Sequence, residues 1–232
     1  MSIGKLYGIG VGPGDPELLT LKAAKIIGKT DIIFAPKSRD GKPSVALSIV
    51  QEVLDERTDE FEVLEPLFPM IEDKNELDKH WNEAANLLLE KIKEGSDAVF
   101  ITLGDPTVFS TFSYVAEKVE SEGIELVIVP GITSFTACAA AANIQLTAQN
   151  DIMAIVPQVD ERLSKILPYV DTVVAMKTSR HLDILEDCIK NDPREKSVIS
   201  VQNCTMENEC VVDGFVYNKQ YFSTSIIKFN KK

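Results

Sequence analysis

Residues 5–16 read KLYGIGVGPGDP, and this stretch decides the fold. Its first half is a short run of apolar and small residues, as in a buried β-strand, and its second half is rich in glycine. Asp15 is a good helix N-cap, and Pro16 suits the first helical position. The stretch therefore predicts a strand, a tight loop and a helix, which begin a parallel α/β unit.

The alternation of strands and helices continues along the first half of the chain. Strands are predicted at 5–11, 31–35, 62–67 and 98–103, and helices at 17–28, 44–54, 77–93 and 107–123. Beyond Gly123 a small-residue helix at 134–142 is predicted among strands at 124–129, 152–156, 172–176, 198–201, 210–216 and 225–229. We therefore expect two small α/β domains: residues 1–122 with a mostly parallel sheet, and residues 123–232 with a mixed sheet.

The composition excludes several classes of protein. The chain has 24 Lys and Arg residues against 36 Asp and Glu, a net charge of −12, and 44% of its residues are hydrophobic. We expect no nucleic-acid partner, because an acidic chain lacks the cations that neutralise phosphates. The four cysteines form no CxxC pair, which indicates reduced thiols and a cytoplasmic location. We expect no signal peptide, because the N-terminal residues reach Asp15 before a secretory apolar core could form. We expect no membrane partner, since polar residues interrupt the long uncharged stretch at 126–150.

Four familiar motifs fail on inspection. The GxGxxG fingerprint would need glycine where Pro13 or Asp15 stands, which disfavours a nicotinamide or flavin cofactor. A phosphate-binding P-loop ending at residues 28–30 would need glycine at position 23. The two histidines are far apart, so no metal site is predicted. The absence of a GxSxG elbow disfavours an α/β-hydrolase.

Two later loops resemble the glycine-rich loop within residues 5–16. Residues 102–107 read TLGDPT, and residues 129–135 read VPGITSF before an alanine-rich helix. Loops at the carboxyl ends of strands in an open α/β sheet flank the crevice where ligands bind. Either glycine-Asp-Pro loop alone is better explained as an ordinary capped turn, and it is the pair that favours a binding site.

A basic loop follows the second predicted strand. Lys37, Arg39 and Lys42 lie within six residues of one another, at the end of the sheet that borders the crevice. Such side chains can bind the carboxylates of a substrate. On the sequence alone, an ordinary solvated loop explains them better.

Taken together, the segments VGPGDP at 11–16 with LLTL at 18–21, LGDP at 103–106 and VPGITS at 129–134 resemble the tetrapyrrole methylase family. The resemblance covers essentially the whole chain, with the motifs in order. Two further features look like the subgroup that methylates C20 of precorrin-2 or cobalt-factor II: FPM at 68–70 followed by WNEAA at 81–85, and PK at 36–37 with Gly41 and Ser44.

The resemblance implies a homodimer of two-domain chains, with S-adenosyl-L-methionine folded into a cleft between the domains. Carried over by position, the cofactor-binding residues are Pro13, Leu103, Gly104, Asp105, Val108, Thr133, Ser134 and Met176. The basic loop of Lys37, Arg39 and Lys42 gains weight as a clamp for the carboxylates of the tetrapyrrole. Residues 203–205 read NCT where many relatives carry Asn-Gly-Thr, so Cys204 puts that cofactor contact in doubt.

The activity implied is methyl transfer to C20 of a precorrin-type tetrapyrrole in cobalamin (vitamin B12) biosynthesis. A sulfonium methyl is already activated, so the enzyme mainly aligns the reactants and excludes water. The sequence identifies no general base; Asp105 is conceivable in that role, but positioning and capping suit it better. Two alternatives stay open, namely methylation at another position of a corrin or uroporphyrinogen ring and a binding module that performs no transfer. Both the cobalt form and the metal-free form of the substrate stay open.

Overall fold

The structure is a computed structural model that describes residues 3–71, 73–218 and 220–230. The chain divides after Thr133 into two compact units. Each unit holds a five-stranded sheet with helices packed on it, one sheet parallel and the other mixed. The predicted α/β class and the two kinds of sheet are confirmed.

The first unit is built on a parallel sheet. Its strands are β1 (Leu6–Gly10), β2 (Ile32–Phe34), β3 (Glu62–Leu64), β4 (Ala98–Thr102) and β5 (Leu126–Val129). They lie in the order β3-β2-β4-β1-β5, and every neighbouring pair is parallel. Because the five strands run in one direction, the loops at their carboxyl ends lie along one edge of the sheet.

Helices cover both faces of this sheet. They are α1 (Leu21–Ile27), α2 (Val45–Ile49), α3 (Gln51–Asp55), α4 (Lys74–Lys93) and α5 (Phe112–Ser121). Successive residues of a strand point to opposite faces, so Ile33 and Phe34 belong to different cores. Phe34 packs with Phe100 and Phe112 beneath α4 and α5, whereas Ile33 packs with Ile9 on the side of α1, α2 and α3.

The second unit is built on a mixed sheet. Its elements are α6 (Ser134–Ala141), β6 (Met153–Val156), α7 (Arg162–Ile166), β7 (Thr172–Met176), α8 (Leu182–Asn191), β8 (Lys196–Gln202), β9 (Cys210–Asp213) and β10 (Ser223–Phe229). The strands lie in the order β6-β7-β10-β8-β9, with only the β6–β7 pair parallel. Side chains of α7 and α8 pack with Val173 and Ile227 on one face.

Three predicted helices differ from the structure. The helix expected from residue 107 begins at Phe112, whose N–H donates to the Ser110 hydroxyl over 3.2 Å. The helix expected at 17–28 is a single 3₁₀ turn capped by Asp15, followed by α1 with Thr20 as its cap. The helix expected at 44–54 is interrupted at Val50. Helices α7 and α8 were not predicted.

The division of the chain also differs from the expected one. The strand predicted at 124–129 was assigned to the second domain, but β5 pairs in parallel with β1. It therefore completes the first sheet, and the two units separate after Thr133 and not near Gly123.

No helix among the described residues is long and apolar enough to cross a membrane.

Candidate functional site

Three glycines from adjacent strands meet at the carboxyl edge of the first sheet. Gly10 ends β1, Gly104 follows β4 and Gly131 follows β5. A Cβ on Gly10 would lie 2.4 Å from the carbonyl oxygen of Gly104 and 2.6 Å from the backbone nitrogen of Gly131. A Cβ on Gly131 would lie 2.1 Å from the same carbonyl oxygen. Neither position has room for a side chain, so the backbones after three strands touch directly. We call this contact the glycine junction.

A backbone bridge extends the glycine junction between the loops after β1 and β4. The Gly104 N–H donates to the Gly12 carbonyl over 2.8 Å, and the Gly12 N–H donates to the Gly104 carbonyl over 3.3 Å. Both residues have left-handed backbones, with φ of 82° at Gly12 and 68° at Gly104. Glycine adopts this conformation without steric cost, which is the physical reason for the glycine in each loop.

The Asp105 carboxylate fastens the loop after β4 to the loop after β5. Only 7% of the residue is exposed. One oxygen accepts from the backbone N–H and the hydroxyl of Thr107, over 2.8 and 2.5 Å, and the other accepts from the Gly131 N–H over 3.0 Å. Burial by itself raises the pKa of Asp105, but these three hydrogen bonds outweigh it and lower the pKa below its ordinary value. The ionised carboxylate is thus a positioning group, and the hydrogen bonds do not favour a role as general base.

The other predicted residues of the first unit lie at the same edge. Pro13 is buried in the loop after β1, and Leu103 and Val108 are half-buried in the loop after β4. Thr133, also half-buried, ends the loop after β5.

The basic loop lies at this edge as well. The Lys37 N–H donates to the Pro66 carbonyl over 2.9 Å, and the Phe68 N–H donates to the Lys37 carbonyl over 2.8 Å. These bonds hold the start of the loop beside the end of β3. The Lys37 ammonium group lies 3.8 Å from the Asp40 carboxylate. The Arg39 and Lys42 side chains are exposed. Since β2 neighbours β4, the basic loop lies one strand away from the loop that holds Asp105.

Two of the predicted residues of the second unit, Met176 and Cys204, lie at one edge of its sheet. Met176 ends β7 and Cys204 follows β8, and both strands run antiparallel to β10, so they end on the same side. Ser134 begins α6, the helix that carries Cys138. The neighbouring Cys138 thiol, together with burial, raises the pKa of Cys204 above its ordinary value, so this side chain is a neutral thiol.

Left-handed backbones at residues other than glycine accompany these loops. Phe109, Lys177, Asn203 and Thr205 have φ of 51°, 54°, 48° and 63°. Each lies within one residue of Val108, Met176 or Cys204. The conformation costs about 1–2 kcal/mol for a residue with a Cβ, and such strain persists where the surrounding structure holds it, commonly at functional sites. Phe109, Lys177 and Thr205 could not be recognised from the sequence, because these residue types give no indication of a left-handed backbone; asparagine adopts it more readily, so Asn203 carries a weak signal.

We expect Asp105→Asn to lower the free energy of unfolding at pH 7 by about 1–3 kcal/mol, because a neutral amide accepts the three hydrogen bonds poorly. The folded-state pKa of Asp105 is lowered, so its stabilisation is present above the unfolded pKa near 4 and is lost as the pH falls through the folded value. The difference from wild type, measured by urea unfolding, should therefore shrink below about pH 4. A pH-independent difference would contradict the assignment. Asp183→Asn, at an exposed residue of α8, is the control.

Known proteins match this chain over the segments that contain these loops. The profile of the tetrapyrrole (corrin/porphyrin) methylases matches residues 5–219. The chain is 42% identical over 236 residues to the probable cobalt-precorrin-2 C(20)-methyltransferase of Methanocaldococcus jannaschii, covering 98% of this chain and 97% of that protein. It is 40% identical over 177 residues to the cobalt-precorrin-2 C(20)-methyltransferase of Salmonella typhimurium, covering 75% and 73%.

A solved structure shares the fold. The uroporphyrin-III C-methyl transferase of Thermus thermophilus, complexed with S-adenyl homocysteine, matches with a TM-score of 0.70 and 22% identity, covering 97% of each chain. The glycine junction thus lies within a segment matched by the family profile, and that profile spans both units. On this evidence the chain belongs to the tetrapyrrole methylase family.

Proposed function

We propose that this chain transfers a methyl group from S-adenosyl-L-methionine to C20 of a precorrin-type tetrapyrrole, cobalt-factor II or precorrin-2, in cobalamin biosynthesis. The observation that carries the proposal is the 42% identity, over 98% of the chain, to a relative named for C20 methylation of cobalt-precorrin-2. The Salmonella relative, at 40% identity, carries the same activity in its name.

The glycine junction supports a cofactor site on the first unit. Bare glycine backbones at the carboxyl edge of a parallel sheet let a ligand approach the loops closely. Leu103 and Val108 add half-buried apolar surface beside Gly104. We assign cofactor binding on this unit to Pro13, Leu103, Gly104, Asp105, Val108 and Thr133. The family resemblance adds Ser134 and Met176 of the second unit. When bound, the cofactor supplies an electrophilic methyl group on its sulfonium sulfur.

The contribution of the protein is alignment and exclusion of water. Orientation of two bound reactants removes much of the entropic barrier to a bimolecular transfer. Asp105 serves it indirectly, because its hydrogen bonds fix the Gly131 backbone and Thr107 in one arrangement. Half-buried Leu103 and Val108 keep water from the reacting centre.

The basic loop is proposed to bind the carboxylates of the macrocycle. Arg39 and Lys42 are exposed, and the backbone of Lys37 is held by two hydrogen bonds. An acidic protein of net charge −12 needs such a local cationic surface to attract a polycarboxylate.

We further propose that the chain acts in the cytoplasm, for which its four free thiols argue, and as a homodimer, as the family resemblance implies. A monomer mass in sedimentation experiments would contradict the dimer.

We expect Gly131→Ala to reduce the affinity for S-adenosylhomocysteine, measured by calorimetry, by tenfold or more. Its Cβ would lie 2.1 Å from the Gly104 carbonyl oxygen, so the loops must separate, a change that costs about 1–3 kcal/mol. Gly123→Ala is the control: its Cβ would meet nothing within 4 Å, and only its φ of 76° opposes the substitution. Equal affinities for the two variants would remove the glycine junction from the cofactor site.

The combined substitution of Lys37, Arg39 and Lys42 by Gln should raise the KM for the macrocycle about tenfold and leave the affinity for S-adenosylhomocysteine unchanged, since charges near the protein surface contribute about 0.2–1 kcal/mol each. Gln at Lys25, Lys29 and Lys118 makes the same change in net charge toward the amino edge of the sheet. If both triple variants raise KM equally, the basic loop has no specific role.

The function itself is tested by incubating the full chain with S-adenosyl-L-methionine carrying a ¹³C-labelled methyl group, and with cobalt-factor II or metal-free precorrin-2. We expect one macrocycle to gain a single label, which NMR locates at C20. A label at another carbon would favour a different ring position. If S-adenosylhomocysteine binds but neither macrocycle is labelled, the chain is a binding module.

A further inference from the structure

A pair of cations shares one aromatic ring at the strand edge that holds Met176. Lys177 directly follows β7, and Arg180 ends the short 3₁₀ turn after it. Tyr221 lies two residues before β10. The antiparallel pairing of Met176 with Thr224 brings these segments to the same edge. The Lys177 ammonium and the Arg180 guanidinium each lie 5.8 Å from the centre of the Tyr221 ring, within the usual range of cation–π contacts.

Neither cation is neutralised. Among residues 3–71, 73–218 and 220–230, no carboxylate forms an ion pair with Lys177 or Arg180. The Tyr221 ring attracts both groups but carries no compensating charge. Arg180 is exposed and Lys177 is half-buried, so neither residue belongs to the core. In a chain with 36 acidic residues, two unpaired cations on one ring form a local site for anions.

The backbone holds Lys177 in place at a steric cost. Its φ and ψ are 54° and 36°, a left-handed conformation that glycine would adopt without strain. The following turn is fixed from β10: the Thr178 hydroxyl and the Ser179 N–H both donate to the Ser223 hydroxyl over 3.2 Å. A strained residue in a turn fixed in this way is a pattern found where a side chain is held for binding.

We propose that Lys177 and Arg180 bind carboxylate side chains of the tetrapyrrole substrate, with Tyr221 fixing the two head groups; the proposal rests on the function proposed above. A guanidinium matches a carboxylate with two parallel hydrogen bonds, and the lysine adds a second positive charge. The carboxylate of the methionine portion of the cofactor has the same chemistry, so the experiment must separate the two sources.

The test compares Lys177→Gln, Arg180→Gln and the double variant, in the full chain, with Lys165→Gln, an exposed lysine of α7. We expect each single substitution to raise the KM for the macrocycle about fivefold, as for the loss of one ion pair, with kcat and the affinity for S-adenosylhomocysteine unchanged. Lys177→Arg, which keeps the positive charge, should have a KM for the macrocycle close to that of wild type. Added NaCl should raise the KM of wild type more steeply than that of the double variant.

Lys177→Gly separates binding from folding. Glycine relieves the left-handed strain, so the melting temperature should rise while the KM for the macrocycle also rises. A structural role for Lys177 requires the melting temperature to fall instead.

Three results would overturn the inference. The first is a KM no higher than that of Lys165→Gln. The second is weakened binding of S-adenosylhomocysteine with an unchanged KM, which would assign the cations to the cofactor carboxylate. The third is no binding of the macrocycle by wild type in absorbance titrations. If wild type is active and the variants keep its KM, this inference is refuted and the proposed function is not. Wild type that binds a macrocycle without methylating it refutes only the catalytic function, and the variants are then compared by macrocycle affinity.

Discussion

The contact between the backbones of Gly10, Gly104 and Gly131 is the constraint on which the candidate site depends. Parallel pairing of β1 with β4 and β5 brings the ends of the three strands together, and the absence of side chains lets them touch. Asp105 then fixes that contact with hydrogen bonds to Thr107 and Gly131. The same residues leave bare backbone at the strand ends, so the packing of the loops and the proposed ligand site have one physical origin.

The second unit obtains an ordered edge by a different device. Its loops contain non-glycine residues in left-handed conformations, at Lys177, Asn203 and Thr205. Hydrogen bonds to Ser223 of β10 hold the turn that follows Lys177. Side chains therefore remain available at positions where glycine would cause less backbone strain. Of these three residues Lys177 carries a charge, and no carboxylate of the described residues forms an ion pair with it. The two edges thus differ in how their loops are built: glycine occupies the left-handed positions Gly12 and Gly104 at the first edge, and residues with side chains occupy such positions at the second.

Much of the fold could be predicted from residue patterns, and the errors have identifiable causes. Strands were located well, because buried apolar runs such as 98–102 are local signals. The start of α5 was placed too early, because an Asp-Pro pair marks a turn as readily as a helix, and only the Ser110 contact with Phe112 sets the first helical residue. The domain division was placed before β5 because strand pairing is not local: nothing in residues 124–129 indicates β1 as their partner.

By itself the sequence determined the class of fold, the glycine loops and the family, because glycine, Asp-Pro pairs and buried apolar runs act through local sterics and capping. It also supplied the motifs by which the carboxyl edge was recognised as the candidate site. Only the tertiary structure decided that both carboxylate oxygens of Asp105 are occupied, that Cys204 is buried, and that Lys177 and Arg180 share the ring of Tyr221. Tyr221 is 44 residues from Lys177 along the chain, and the pairing of β7 with β10 brings them together.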